Sequence, residues 1–336
     1  MTEIPANRDI KQANVTHQWK HDRPLIACRF DPLGRYVFAS SEDNSIQRWT
    51  LADEAKVSLQ GHDSWVFALE HSLDGNWTVS GGGDGRLIWW ETASAEPKPV
   101  RTLDAHHGWI RTLAVSPDGK TLASAGNDHV IRLWNIQEGT PLGELHGHER
   151  HVYCVRFHPT DSNILLSGDI MASLKQWDLA KEAVSREFDC KSLHTYNSGQ
   201  KVDFGGVRAI AVSPDGKYLA AGGLHKASNP LGSVHEPLDL MFDWESQKLL
   251  QSCVAENIRS VIWRQLFLDN KTVMAVSGGT SGGFLHFWTP EAAKEAHQFK
   301  LPRLARDMDL HSDGLQVATA HSDSQLRITK LAKKEA

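Results

Sequence analysis

The stretch from His106 to Trp134, HHGWIRTLAVSPDGKTLASAGNDHVIRLW, contains three short apolar segments separated by two polar turns. The segments WIRTLAV, TLASAG and VIRLW are rich in β-branched and aromatic residues, and the turns SPDG and NDH carry Gly, Pro, Asn and Asp. This composition predicts β-strands joined by tight turns. No helical stretch competes with it, so the segment is interpreted as three consecutive antiparallel strands.

The same pattern recurs along the whole chain. A turn equivalent to SPDG appears seven times, and a tryptophan stands in the third strand of six repeats, with Thr329 at that position in the seventh. Successive spacings of this second set are 41, 44, 43, 67, 44 and 41 residues. The turns are DPLG (31–34), SLDG (72–75), SPDG (116–119), HPTD (158–161), SPDG (213–216), FLDN (267–270) and HSDG (311–314), and the tryptophans are Trp49, Trp90, Trp134, Trp177, Trp244 and Trp288.

A period of about 40 to 45 residues built from short strands is typical of the four-stranded blades of a β-propeller. One such blade cannot bury both faces of its sheet alone, so neighbouring blades must pack radially and close a ring. The sequence therefore predicts an all-β protein, a seven-bladed β-propeller of four-stranded antiparallel blades.

These residues resemble the WD-repeat family. In that family a His before the first strand, a Ser or Thr in the second, an Asp in the next turn and a Trp in the third strand form a hydrogen-bonded tetrad. The resemblance implies this role for two complete sets at identical spacing, namely His62, Ser80, Asp84, Trp90 and His106, Ser124, Asp128, Trp134. The first repeat keeps His21, Asp43 and Trp49 but has Ala39 in place of the Ser.

The later repeats depart from the pattern. In the fourth, Met171 occupies the Asp position beside His148 and Trp177. The fifth and sixth repeats have Asp203 and Asn257 where the His is expected, and the seventh has Asp323 but no Trp. Each lost hydrogen bond costs about 1 kcal/mol, so we expect the second half of the chain to be less rigid.

The two ends of the chain indicate how the ring closes. The seventh repeat ends after its third strand, LRITKL (326–331), while VTHQW (15–19) is a spare strand ahead of the first repeat. We expect the N-terminal strand to complete the last blade and so to remove two exposed sheet edges. The predicted organisation is a flexible N-terminal tail (1–13), a single propeller (14–331) and a C-terminal tail (332–336).

The composition narrows the classes of partner. The chain has 336 residues, of which 40% are hydrophobic and 23% charged, with a formal net charge of −5. An acidic balance disfavours nucleic acid, which needs clustered Lys and Arg. The polar N-terminus and the lack of a long apolar segment predict neither secretion nor membrane insertion, so a cytoplasmic location is expected.

Two insertions interrupt the regular spacing, and both belong to the fifth repeat. One lies near 190–206, before the first strand of that repeat, and the other near 224–238, between its second and third strands. Both connections lie at the same end of the sheet, which we call the top face. They are either a recognition element or tolerated surface decoration. Their candidate recognition residues are His194, Tyr196, Lys201, His225 and His235.

A second candidate site follows from the positions three and five residues after each His position. Strand alternation places both side chains on the innermost strand, facing the top opening of the channel. Trp, Tyr and Arg are enriched at binding hot spots, and arginines at this opening favour an acidic or phosphorylated peptide. The predicted partner-binding residues are Trp65, Phe67, Trp109, Arg111, His151, Tyr153, Arg208 and Arg306.

The sequence contains no credible catalytic constellation. The tightest histidine cluster, around His146, His148 and His151, has no carboxylate or Cys at ligand spacing, so we expect no metal and no cofactor. The favoured hypothesis is a non-catalytic, monomeric scaffold or adaptor that binds a protein segment on the top face. The alternatives are an enzyme or small-ligand sensor at the channel mouth, and a nucleic-acid-associated subunit.

Overall fold

The alternating apolar residues and tight turns produce β-strands throughout the residues that the computed structural model describes, 5–229 and 234–334. The strands form seven four-stranded antiparallel sheets and one two-stranded sheet. This confirms the predicted seven-bladed propeller. The helical segments of the described residues are two 3₁₀ turns, Ile10–Gln12 and Lys191–Leu193, and no helix among them is long and apolar enough to cross a membrane.

The first half of the ring contains an N-terminal strand and three blades. The N-terminal strand is β1 (Asn14–Lys20). Blade 1 contains β2 (Leu25–Phe30), β3 (Tyr36–Ser41), β4 (Ile46–Thr50) and β5 (Lys56–Leu59). Blade 2 contains β6 (Val66–His71), β7 (Trp77–Gly82), β8 (Arg86–Glu91) and β9 (Arg101–Asp104). Blade 3 contains β10 (Ile110–Val115), β11 (Thr121–Gly126), β12 (Ile131–Asn135) and β13 (Pro141–Leu145).

The second half contains four blades and a separate hairpin. Blade 4 contains β14 (Val152–His158), β15 (Asp161–Asp169), β16 (Ser173–Asp178) and β17 (Ala183–Asp189). The hairpin consists of β18 (His194–Asn197) and β19 (Val202–Gly205). Blade 5 contains β20 (Ala209–Val212), β21 (Tyr218–Asn229), β22 (Val234–Asp243) and β23 (Leu249–Val254). Blade 6 contains β24 (Val261–Phe267), β25 (Val273–Gly279), β26 (Gly282–Thr289) and β27 (Ala292–Leu301). Blade 7 contains β28 (Ala305–Leu310), β29 (Gln316–His321) and β30 (Gln325–Lys330).

The N-terminal strand closes the ring. β1 pairs antiparallel with β30, from Asn14 opposite Lys330 to Lys20 opposite Gln325, and becomes the outer strand of blade 7. The residues before it also contact the propeller. Arg8 donates a hydrogen bond to the Leu268 carbonyl at 2.9 Å and pairs with Asp269 at 2.6 Å. Residues 1–4 and 335–336 of the predicted tails lie outside the described residues.

The hydrophobic core is divided among the contacts between blades. In the described residues, one buried apolar cluster lies between each pair of neighbouring blades, including blades 7 and 1. The repeated tryptophan of a blade packs in the cluster that the blade shares with its predecessor, as Trp90 does between blades 1 and 2 and Trp177 does between blades 3 and 4. Both faces of every sheet are therefore buried by neighbours.

The tetrads of blades 2 and 3 have nearly the same geometry. In blade 2, His62 Nδ1 lies 2.9 Å from Asp84, its Nε2 lies 2.8 Å from Ser80 Oγ, and the Trp90 indole donates to that oxygen at 2.9 Å. The corresponding distances in blade 3 are 2.9, 2.7 and 2.9 Å, for His106, Ser124, Asp128 and Trp134. These bonds join the loop before the first strand to the second and third strands.

Blade 4 also has a complete tetrad, which the sequence comparison missed. Asp169, two residues before Met171, lies 2.8 Å from His148 Nδ1, while His148 Nε2 lies 2.6 Å from Ser167 Oγ. The Trp177 indole donates to Ser167 at 2.7 Å. The interpretation of Met171 as a lost Asp was wrong because the carboxylate comes from the end of β15 instead of the following turn.

Blades 6 and 7 rebuild these bonds with histidines from other strands. In blade 6, His286 of β26 lies 2.7 Å from Ser277 Oγ and also contacts Glu295. In blade 7, His321 of β29 lies 2.8 Å from Thr319 Oγ1 and 3.1 Å from the Arg303 carbonyl. The hydroxyl groups of Ser277 and Thr319 therefore keep a hydrogen-bond partner, although the His before the first strand is lost in both blades.

A buried carboxyl lies between blades 5 and 6. Asp239 of β22 has no exposed surface, and no well-aligned hydrogen bond reaches either of its carboxyl oxygens. Burial raises the pKa of Asp239 to about 7, an effect that the neighbouring Gln265 amide offsets only in part. The charged form of this side chain is therefore disfavoured in the folded state.

We predict that Asp169→Ala destabilises the protein by about 1–3 kcal/mol, because His148 then loses its buried hydrogen-bond partner. Met171→Ala, at a side chain that is 37% exposed, is the matched control and is expected to change the free energy of unfolding by less than about 0.5 kcal/mol. Urea denaturation of both variants provides the measurement. Equal losses of stability would contradict the assignment of Asp169 to the tetrad.

We predict that Asp239 lowers stability as the pH rises. Its folded pKa lies above the unfolded value, so its contribution is most favourable below about pH 4 and is lost as the pH rises through about 7. A shift of about three units corresponds to roughly 4 kcal/mol. The difference in unfolding free energy between the wild type and Asp239→Asn should fall by an amount of this order from pH 4 to pH 7. A constant difference would exclude the raised pKa.

Candidate functional site

The innermost strands of the blades converge on a cavity of about 540 Å³. Its lining comes mainly from the first strand of each blade and from the residues just before these strands, so it lies at the top opening of the channel. Six arginines and one carboxylate belong to this lining, namely Arg29, Arg111, Arg156, Arg208, Arg264, Arg306 and Asp307. The cavity has the size of an ordinary small-ligand or side-chain pocket.

Aromatic rings and guanidinium groups form a row of successive contacts around the opening from blade 2 to blade 6, and we call this set the mouth arc. The Trp65 and Phe67 ring centroids are 6.3 Å apart, and Phe67 stacks on Trp109 at 5.1 Å. Arg111 lies 5.2 Å from the centre of the Trp109 ring and 4.6 Å from that of Tyr153. Arg208 continues the arc. The members are Trp65, Phe67, Trp109, Arg111, Tyr153, Arg208 and Trp263.

Arg208 joins blades 4, 5 and 6 at the mouth. Its guanidinium lies 3.8 Å from the centre of the Tyr153 ring and 5.9 Å from that of Trp263. The Arg208 Nε group donates a hydrogen bond to the Gly205 carbonyl at 2.8 Å, which fixes the orientation of the side chain. Burial lowers the pKa of Arg208 from its ordinary value. The guanidinium remains charged, because an arginine starts with a pKa above 12.

The three tryptophans of the mouth arc keep large exposed areas. Trp65 is 43% exposed, Trp109 44% and Trp263 38%, whereas the repeated tryptophans are buried. Each of the three contacts a neighbour of the arc, so its ring is held in one orientation while part of it faces solvent. Clustered aromatic and Arg side chains held in this way are typical of binding hot spots.

Most of the predicted partner-binding residues lie around this one opening. Six of the eight line the cavity: Trp65, Phe67, Arg111, Tyr153, Arg208 and Arg306. Trp109 lies on the rim, stacked on Phe67. His151 lies outside the lining and packs against His129 at 5.4 Å. Arg306 differs from Arg208 because it pairs with Glu42 at 2.6 Å, so its charge is already compensated.

Sequence reasoning missed the charged residues below the mouth. Arg29 and Arg156 face the channel, although strict alternation from the top of each strand turns those positions away, and Arg264 belongs to the lining as well. The first strands contain β-bulges, for example between Val152 and Cys154, which shift the alternation by one residue. An arginine inside an apolar strand, as in VYCVRF, was the available signal for an unusual position.

The two predicted insertions form a packed unit beside the opening. The first becomes the β18–β19 hairpin, and the second extends β21 and β22 beyond the ordinary strand length, with residues 230–233 outside the described structure. Asn197 Nδ2 donates to the Ser228 carbonyl at 3.3 Å, so the two insertions touch. Phe204 packs against Leu224 and Ala227.

The predicted recognition residues of the insertions make mostly local contacts. His194 pairs with Asp203 at 2.9 Å, and His225 lies 3.4 Å from Glu236. Burial and the charge of Arg208 lower the pKa of His235. Tyr196 and Lys201 are exposed. None of these five residues belongs to the described lining of the cavity.

Seven blades with hydrogen-bonded His, Ser, Asp and Trp sets define a propeller protein built from WD repeats. The sequence matches the WD40 family (WD domain, G-beta repeat) over residues 14–50, 54–91, 97–135, 139–178 and 190–226. The chain belongs to this family. The matched residues end at 226, before blades 6 and 7, whose histidines come from different strands.

Several curated proteins are similar to part of the chain. The nuclear distribution protein PAC1 of Arthroderma otae is 32% identical over 208 residues, which cover 53% of this chain and 44% of that protein. The nuclear distribution protein nudF of Emericella nidulans is 27% identical over 51% of this chain and 43% of its own length. A guanine nucleotide-binding protein subunit beta-like protein of Encephalitozoon cuniculi is 26% identical over 53% and 54%. The chain thus spans about half the length of these relatives.

Proposed function

We propose that the protein is a non-catalytic interaction scaffold that docks a segment of a partner protein on the mouth arc. The observation that carries this proposal is the grouping of three exposed tryptophans with two arginines around one opening. A rigid ring presents these side chains at low entropic cost, which favours binding. The names of the relatives, nuclear distribution proteins and a G-protein β-like subunit, are compatible with a non-catalytic role.

The partner segment is proposed to be acidic. Arg111 and Arg208 stand in the arc without a carboxylate of the described residues within ion-pair distance, so an incoming carboxylate or phosphate would meet unpaired guanidinium groups. The exposed rings of Trp65 and Trp109 would cover the neighbouring apolar part of the segment. The insertions of blade 5 lie beside the opening and would limit the direction in which the segment leaves it. We further propose that the chain acts as a monomer in the cytoplasm.

We predict that Trp109→Ala weakens partner capture roughly tenfold or more, because it removes an exposed ring of the arc. The thermal midpoint should stay within about 2 °C of the wild type, since the ring lies on the surface. The measurement is affinity purification from the source cells with quantitative mass spectrometry.

The matched control is Leu73→Ala. Leu73 is 50% exposed, and it lies in the turn between β6 and β7, at the opposite end of the blade from the mouth. This variant should retain the partners that Trp109→Ala loses. Retention of the same partners by Trp65→Ala and Trp109→Ala at wild-type level would rule out the mouth arc as the docking surface.

A further inference from the structure

The charges of the cavity are compensated on one side. Arg29 pairs with Asp307 at 2.7 Å, and Arg306 pairs with Glu42 at 2.6 Å. Arg264 lies 3.8 Å from both Asp307 and Glu70. These three arginines belong to blades 1, 7 and 6. The wall formed by those blades is therefore close to neutral.

The opposite wall is different. Arg111, Arg156 and Arg208 line the cavity from the consecutive blades 3, 4 and 5. None of them forms an ion pair within 4 Å among the described residues, and the carboxylates of Glu70 and Asp309 act on Arg156 only from a longer distance. Arg111 Nε donates to the Asn127 amide oxygen at 2.5 Å, and Arg208 donates to a backbone carbonyl. Within residues 5–229 and 234–334, Arg156 forms no hydrogen bond of its own. Arg156 belongs to the lining of the cavity, so its guanidinium N–H groups are available to a ligand in the channel.

This arrangement is costly without a ligand. Burial and the nearby Arg264 lower the pKa of Arg156 to about 10, although the carboxylates of Glu70 and Asp309 act in the opposite direction. Burial also lowers the pKa of Arg111. Charged groups removed from bulk water are normally paired, and an unpaired one destabilises the fold. Three arginines without an ion-pair partner on adjacent blades therefore favour the binding of an anion.

We propose that the wall of Arg111, Arg156 and Arg208 binds a phosphoryl group, either as free phosphate or on a side chain of the docked segment. A phosphoryl group carries a charge of about −2 and three acceptor oxygens, which suits several guanidinium forks better than a single carboxylate does. A cationic ligand is disfavoured because Arg111 and Arg208 already occupy the face of the Tyr153 ring.

The phosphoryl site extends the proposed function. It rests on that function only where the phosphoryl group is taken to belong to a docked partner segment. Arg111 and Arg208 lie in the mouth arc, whereas Arg156 lies further along its strand, three residues beyond Tyr153. A phosphorylated side chain that passes Tyr153 would reach Arg156 while its own backbone stays on the exposed tryptophans. Free phosphate would need only the arginine wall.

The first test titrates inorganic phosphate into the full chain by calorimetry and by thermal denaturation, with chloride at matched ionic strength as the reference. The wild type should bind phosphate in the millimolar range or tighter and melt at a higher temperature in its presence. Arg156→Met should lower the affinity roughly tenfold or more, because a charge-assisted contact is lost. Without phosphate this variant should melt at the same temperature as the wild type or higher, since an unpaired charge is removed.

Arg150→Met is the matched control for charge. Arg150 lies on the same face and bonds the Glu149 carbonyl, outside the cavity lining. It should bind phosphate like the wild type. Arg156→Lys retains the positive charge but lacks the planar guanidinium group that forms two parallel hydrogen bonds, so it should bind phosphate with an intermediate affinity. The proposal is overturned if the wild type shows no phosphate-specific effect, or if Arg150→Met and Arg156→Met lose the same affinity.

Two further ligands distinguish free phosphate from a phosphorylated partner side chain, namely N-acetyl phosphotyrosine amide and its unphosphorylated counterpart. A partner side chain is indicated if the phosphorylated compound binds more tightly than inorganic phosphate and loses that advantage in Trp109→Ala. Free phosphate is indicated if it binds at least as tightly and Trp109→Ala has no effect. If the protein binds phosphate but captures no partner through Trp109, the proposed function is contradicted, while the proposed phosphoryl site of Arg111, Arg156 and Arg208 still holds.

Discussion

Every four-stranded sheet of this protein must bury both of its faces, and only the neighbouring sheets can cover them. The apolar clusters of the described residues lie between blades, and each repeated tryptophan fills the contact with the blade before it, as Trp134 does between blades 2 and 3. Blade 7 has Thr329 instead, and its contact with blade 6 is filled by residues such as Phe287 and Leu331. Stability therefore comes from closing the ring, and the tetrads add to it by fixing the loop that enters each blade.

The candidate site follows from the same constraint. Radial packing brings the innermost strands together around a channel whose lining includes charged side chains as well as apolar ones. Polar and charged side chains of these strands therefore meet there, and they are paired unevenly: Arg29 has Asp307, while Arg156 has no such partner among the described residues. The three tryptophans at the rim, Trp65, Trp109 and Trp263, do not belong to the apolar clusters between blades, which other residues fill, and they remain partly exposed.

Regular spacing made the fold predictable, and local irregularity limited what could be predicted of the site. The seven recurring turns gave the number of blades, the spacing of tryptophans such as Trp90 and Trp134 gave their type, and alternation placed Phe67 and Arg111 at the mouth. Arg29 and Arg156 were missed because bulges shift the alternation after the first residues of a strand. Asp169 was missed because the fourth repeat takes its carboxylate from a strand end. His286 and His321 were missed because they replace a loop residue from different strands, a substitution that position-by-position comparison cannot detect.

The pairing of β1 with β30 has a consequence for how the chain reaches its folded state. Thr16 of β1 and Ile328 of β30 are 312 positions apart, so the strand that closes the ring is synthesised long before its neighbour. Until then the emerging blades form an open arc with an apolar face at each end and an unpaired strand edge. Such surfaces promote aggregation. The ring therefore stays incomplete, with these surfaces exposed, while the residues between β1 and β30 are being translated.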